Sequence, residues 1–183
     1  MQAVDQNVLQ FFAENRTEWL SFLMLVVTYA GGYMVASVVT ALSAISFLIH
    51  KHTSKILPLF ISVGGSTATV FIIKNIFDKA RPLAEALYLE PTSSFPSGHA
   101  AVAIALYGFI LFTIWQYDRH HLRNPFIFCL ALLILLIGIS RLYLGVHYLS
   151  DVLVGYIIGL AWLLISLAIS KSKTGLLPDG KRL

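Results

Sequence analysis

Long apolar runs separated by short polar segments set the frame of this chain. Residues 4–16 place Val4, Val8, Leu9, Phe11 and Phe12 among polar neighbours at roughly helical spacing. That stretch is too short and too polar to cross a bilayer, and is expected to lie on the membrane surface as an amphipathic helix. From Trp19 to Ile49 the chain is essentially uncharged and is interrupted only by Gly31-Gly32. About 20 residues suffice for a crossing, so the stretch reads as one long or kinked span ending at His50-Lys51-His52. The alternative is a half-helix followed by a crossing. Further spans are expected over about 56–77, 100–115, 126–143 and 152–169. The pattern predicts an all-α, polytopic transmembrane bundle of five spans, with six possible, plus the N-terminal interfacial helix.

Composition agrees with this pattern. Of 183 residues, 57% are hydrophobic and 12% charged, against roughly 25% charged in a soluble globular domain. The single cysteine, Cys129, lies inside an apolar run, so neither a disulfide nor a cysteine-rich metal site is available. The formal charge of +4 does not point to nucleic acid, because the basic residues are scattered rather than gathered on one face. Anionic lipid head groups account for its sign. No basic start followed by an apolar core marks a removable signal peptide, and no linker or repeat divides residues 1–183, read as a single membrane-embedded domain.

The loops set an orientation. Lys51, Lys55, Arg119, Arg123, Lys171, Lys173, Lys181 and Arg182 fall on one side; Arg16, Lys74, Lys79, Arg81 and Arg141 fall on the other with most of the acidic residues. The positive-inside rule puts the first group and the C-terminus in the cytoplasm, and segments 78–99 and 141–151 on the outer face.

Every unusual polar residue falls at that outer end. Arg141, His147 and Asp151 stand in greasy surroundings, where a fixed charge costs roughly 2.5–3.5 kcal/mol on insertion scales. In a helix, Asp151 lies one turn beyond His147 and is placed to accept a proton from one imidazole nitrogen, leaving the other free to attack an electrophile or to take a proton. Lys74 and Arg81 are two turns apart at the end of the second span, and Pro82 is expected to stop that helix. Lys79 with Asp78 reads as a surface pair. Pro96-Ser97-Gly98-His99 leads into an apolar helix, where free N–H groups and the helix dipole suit a phosphate. Taken singly these features have plainer readings: snorkelling cations, an ordinary capped helix, an interhelical hydrogen-bond network. Together, three cations, two imidazoles and a carboxylate describe a site for a phosphate ester. His50, His52, His120 and His121 read as solvated loop residues.

These residues give the chain its resemblance to the type 2 phosphatidic acid phosphatase family of membrane lipid phosphatases, relatives of soluble acid phosphatases and vanadium haloperoxidases. Its three motifs are matched by Lys74-x6-Arg81-Pro82, Pro96-Ser97-Gly98-His99 and Ser140-Arg141-x5-His147-x3-Asp151, in a core of about residues 55–165. Larger members carry an additional N-terminal span. The resemblance implies that His147 is the nucleophile that becomes phosphohistidine, with Asp151 orienting it. His99 would protonate the leaving oxygen and then activate water. Lys74, Arg81, Ser97, Gly98 and Arg141 would bind the phosphoryl oxygens. No cofactor or metal is implied; the cations neutralise the charge, and no carboxylate cluster is available to hold magnesium.

The expected activity is removal of a terminal phosphate from a lipid phosphate or diphosphate at the outer face of a bacterial-type cytoplasmic membrane. Undecaprenyl diphosphate, phosphatidylglycerol phosphate, phosphatidic acid and lipid A 1-phosphate are all compatible with the motifs. The partners are lipid substrate and membrane lipids, with no nucleic acid. The alternatives are phosphotransfer to an alcohol and non-catalytic binding or transport of a lipid phosphate.

Overall fold

The computed structural model describes residues 1–82, 86–117 and 123–173. Glu85, Arg119, His120, His121, Lys181 and Arg182 lie outside the described residues. The regular elements are helical. Helix α1 (Gln2–Glu14) precedes a bent pair, α2 (Glu18–Gly31) and α3 (Tyr33–Ile49), and a 3₁₀ turn at Thr53–Lys55 leads into α4 (Ile56–Phe77). Next, α5 (Gly98–Val102), a π-helical turn (Ala103–Tyr107) and α6 (Gly108–Tyr117) run on as one rod, followed by α7 (Arg123–Tyr143) and α8 (Leu149–Lys173). Four segments are long and apolar enough to span a membrane: Thr53–Phe77, Gly98–Gln116, Arg123–Tyr143 and Leu149–Ser170. The pair α2 and α3, bent by 51°, passes the same test jointly, as a broken span or a re-entrant pair does. The break expected at Gly31-Gly32 within 19–49 is present, at Gly32.

The rod from Gly98 is the centre of the bundle. Within its apolar window 61% is buried, against 28–33% in the other three spans. Its small residues explain why: Ala100, Ala101, Ala103 and Ala105 are fully buried and let neighbours approach the backbone. On α8, Gly155 and Gly159 face this rod so closely that a Cβ would meet the carbonyl oxygens of Ser97 and Ala101 at 2.4 and 2.3 Å. This small-xxx-small pair, readable in the sequence, draws the Ser97–Ala101 turn onto the start of α8. Large apolar side chains such as Phe71, Ile72, Phe128 and Leu164 point outward, as lipid-facing positions do.

Helix α1 buries Leu9, packs Val8 and Phe12 against the ends of α7 and α8, and leaves Val4 and Phe11 exposed. It begins two residues earlier than its periodicity predicts. Its Asp5 is buried and accepts hydrogen bonds from Ser150 N (2.9 Å) and Ser150 Oγ (2.7 Å), so it caps the first turn of α8 from a distant part of the chain. Asp5→Ala is expected to lower stability by about 1–2 kcal/mol, the range of a lost N-cap. In detergent this should appear as a fall in melting temperature of roughly 2–8 °C.

The second span ends earlier than Pro82 would require. Asp78 adopts a left-handed conformation (φ 34°), and its N–H closes the last turn on Lys74 O. Arg81 therefore leaves from an extended segment, not from the same helical face as Lys74. At the opposite end of the bundle, Lys55 is buried and bonds Gln116 Oε1 (3.0 Å) and Ser170 Oγ (2.7 Å), tying α4 to α6 and α8. It is an internal tie as well as one of the basic residues of this end of the bundle. His50 is exposed and His52 half-buried, both at that far end.

Candidate active site

Three chain segments converge where α4 ends, α5 begins and α7 turns into α8. A cavity of about 260 Å³ is lined by Lys74, Arg81, Glu90, Gly98, His99 and His147, together with Tyr33, Thr67 and Phe71. The two motif histidines thus share one space with two motif cations. The bend of the first span makes room for them. The His99 ring lies against Gly31 and Gly32, with Nε2 3.8 Å from where a Gly32 Cβ would be. Tyr33 follows the bend, and its hydroxyl sits 2.3 Å from where a Gly98 Cβ would be, so any side chain at 98 collides with it. Gly98 is required for that contact as well as for an open approach to the helix start.

Arg81 is buried and extensively held. Its Nε donates to Thr92 O (2.7 Å), its NH1 to Val146 O (2.6 Å), and its NH2 to Thr92 Oγ1 (3.1 Å), while NH1 lies 3.3 Å from His147 Nε2. Lys74 Nζ donates to Ser93 O, which also accepts from Arg81 NH2 at 3.3 Å. The two cations meet at one carbonyl although they leave different secondary structure.

His147 and Asp151 are one helical turn apart as predicted, but Nδ1 to Oδ2 is 3.6 Å, an electrostatic contact longer than a hydrogen bond, and Nδ1 has no partner. Asp151 is engaged elsewhere: Lys79 Nζ lies 2.7 Å from Oδ1, Tyr148 N donates to Oδ2 at 2.9 Å, and Ser94 Oγ donates to Oδ2. Lys79 is thus not a surface partner of Asp78. It reaches inward across the Tyr148 ring (4.4 Å to the centroid) to the motif carboxylate and to Ser150 Oγ (3.3 Å). A carboxylate buried beside one neutral imidazole needs a cation, and Lys79 supplies it.

Burial pushes His147 down to about 4, with Asp151 pulling the other way and Arg141 and Arg81 adding to the depression. The imidazole is therefore neutral at physiological pH, the state a nucleophile or base requires. As pH falls, the unfolded chain, with an ordinary imidazole near 6.5, takes up this proton first. The His147 contribution to stability is complete above about pH 6.5 and is lost progressively towards pH 4. In a ¹⁵N-histidine titration, the His147 ring should remain neutral at pH 5.5; protonation near pH 6.5 would contradict the burial described here.

Besides Asp151, two of the residues expected to bind phosphate are not in the cavity wall. Arg141 is fully buried and bonds Thr28 Oγ1 (2.8 Å), Tyr88 OH (2.5 Å) and Glu90, while its Nε has no partner. Ser97 is fully buried with Oγ unpartnered, and its N–H, expected to be free for an anion, donates instead to Asp151 O at 3.0 Å. That bond belongs to the α5–α8 contact, so the anion-facing donors at this helix start are left to Gly98 and His99. Glu90 bridges the two guanidiniums, with Oε2 2.7 Å from Arg81 NH2 and Oε1 on Arg141 NH2. Burial alone would raise its carboxyl, but Arg141 and then Arg81 hold it down to about 2. Glu90, Tyr88 and Tyr33 were not singled out in the sequence, and Lys79 was read only as a surface partner of Asp78. None lies on a periodic pattern, though Lys79 falls inside the interval between Lys74 and Arg81.

The chain is similar to known proteins in sequence and in fold. Phosphatidylglycerophosphatase B of Bacillus subtilis (strain 168) is 26% identical over 163 residues, 87% of this chain and 80% of that protein. The crystal structure of a transmembrane PAP2-type phosphatidylglycerolphosphate phosphatase from Bacillus subtilis superposes with a TM-score of 0.86 at 24% identity, covering 93% of this chain and 86% of that one. Aquifex aeolicus LpxE superposes with a TM-score of 0.66 at 27% identity, covering 90% of this chain and 94% of its own. The sequence model of the PAP2 superfamily matches residues 55–174, the stretch that carries all three motifs, and the chain belongs to that superfamily.

Proposed function

We propose that this membrane protein hydrolyses the terminal phosphate of a lipid phosphate or diphosphate, with His147 attacking phosphorus. The observation that carries the reading is the single cavity shared by His99, His147, Lys74 and Arg81. In-line displacement requires a nucleophile on one side of phosphorus and an acid on the other, with cations on the equatorial oxygens. Neutral His147 fills the first role, and its attack breaks the bond from phosphorus to the bridging oxygen, an ester in a monophosphate and an anhydride in a diphosphate, to form phosphohistidine. His99 gives its proton to the departing oxygen. It then takes one from water, which attacks the phosphoryl group and restores His147. Lys74, Arg81, Arg141, Ser97 Oγ and the Gly98 N–H neutralise the spread charge, and Asp151 supports the imidazolium-like character that develops on His147.

The apolar wall of Tyr33, Thr67 and Phe71 suits a substrate whose tail remains in lipid. The loop charges put this end of the bundle on the outer face of the cytoplasmic membrane, with α1 at the head-group level and the C-terminus inside. The names of the relatives make phosphatidylglycerophosphate the first substrate to try. Phosphate release from purified lipid phosphates in detergent is the test: release from phosphatidylglycerophosphate or undecaprenyl diphosphate supports the reading. Tight binding without release would make the protein a lipid-phosphate binder instead, and transfer to an added alcohol would make it a phosphotransferase.

A further inference from the structure

One occupant of the site has no part in that chemistry. The Glu90 carboxylate lies on Arg81 and Arg141, and the Tyr88 hydroxyl donates to its Oε1 at 3.0 Å. The segment that carries it is pinned on both sides, by Leu87 N to Leu144 O (3.0 Å), Arg81 Nε to Thr92 O (2.7 Å) and Ser94 N to Lys79 O (2.8 Å). Glu90 lines the cavity, and Arg141, fully buried and outside the cavity wall, is paired with that carboxylate. Two donors of the phosphate-binding set, Arg141 Nε and Ser97 Oγ, are fully buried without an acceptor. The carboxylate therefore holds the guanidiniums without satisfying the site, because two oxygens cannot cover donors arranged for a tetrahedral anion.

We propose, resting on the lipid phosphatase reading, that Glu90 is a resident anion which a dianionic phosphate must displace, and that this exchange makes the site turn away monoanionic phosphodiester head groups. Lys74, Arg81 and Arg141 against one carboxylate leave the site two positive charges in excess. A terminal phosphate brings in two negative charges for the one it removes. A phosphodiester exchanges one charge for one and loses the two-point pairing of Glu90. In a bilayer where diester head groups far outnumber any lipid phosphate, rejecting them is a specificity the bare cations lack.

The test uses the full-length chain in detergent micelles. It measures inorganic phosphate binding by calorimetry and its displacement by dioctanoyl phosphatidylglycerol, for the wild type, Glu90→Gln and Tyr88→Phe. Glu90→Gln is expected to bind inorganic phosphate about tenfold more tightly, about 1.4 kcal/mol. It should also be competed by phosphatidylglycerol at least about tenfold more readily than the wild type. Tyr88→Phe keeps the carboxylate but loosens it, and should shift both in the same direction by about two- to threefold. Unchanged or weaker phosphate binding in Glu90→Gln overturns the proposal, as does tighter phosphate binding with phosphatidylglycerol competition unaltered. Should Glu90→Gln fail to fold, Tyr88→Phe decides alone, and no tightening there overturns it. A wild type that binds phosphate but releases none from any lipid phosphate sinks the enzyme reading, while the comparison of binding still decides the role of Glu90.

Discussion

Replacing His147 with alanine is expected to lower phosphate release by about four orders of magnitude or more, the scale of a lost nucleophile. No phosphoenzyme should then be trapped on rapid quenching with a ³²P-labelled short-chain lipid phosphate. The geometry makes the expectation specific, since Nε2 is the ring nitrogen at the cavity, 3.3 Å from Arg81 NH1. His99→Ala should behave differently. An alkyl phosphate leaves as an alkoxide and needs the acid, whereas an aryl phosphate with a stable phenolate does not. With the aryl substrate His99→Ala should still form phosphohistidine and then stall, because the same residue activates water. Equal losses for both leaving groups would remove His99 from the acid role, and a phosphoenzyme in His147→Ala would remove His147 from its own.

Arg141→Met is expected to reduce both activity and stability. The guanidinium is fully buried and shares Glu90 with Arg81. Deleting one side of such a buried pair costs about 3–5 kcal/mol, much of it from the charge left behind. The melting temperature should drop by roughly 6–20 °C, and phosphate release by about a thousandfold. The double change Arg141→Met/Glu90→Gln separates the two effects. Removing the Glu90 carboxylate, then held by Arg81 and Tyr88 alone, should restore part of the melting temperature while leaving release just as low. Recovery of both together would mean that Arg141 serves only to hold Glu90. Arg141→Lys keeps the charge but loses the planar fork, so an intermediate rate is expected.

The sequence made the bundle legible to within a few residues at most span ends, because uninterrupted apolar length is a local signal. The motif spacing likewise brought Lys74, Arg81, His99 and His147 to one cavity. What escaped was long-range pairing. Asp5 finds Ser150 at a separation of 145 residues, Glu90 finds Arg141 at 51, and Lys79 finds Asp151 at 72. No periodicity encodes such meetings, and an acidic residue in a polar stretch looks solvated until a buried cation is shown beside it. The span over 56–77 was placed correctly, but the stop expected from Pro82 is not what ends it: the Pro82 rule sets the last position a helix can reach, whereas the left-handed Asp78 set the one it did reach. The Gly155–Gly159 pair went unread although its spacing is local, and its close approach to Ser97 and Ala101 accompanies the bond from Ser97 N–H to Asp151 O.

The cap that Asp5 places on α8 reaches further than the helix it ends. Ser150, which it grips, also receives Lys79, and Lys79 grips Asp151. A relay of four side chains therefore connects a peripheral amphipathic rod to the reactive ring. Anything that levers that rod outward, whether strong curvature, a harsh surfactant or a tag fused ahead of Met1, has a short mechanical route to turnover while the spans themselves stay intact.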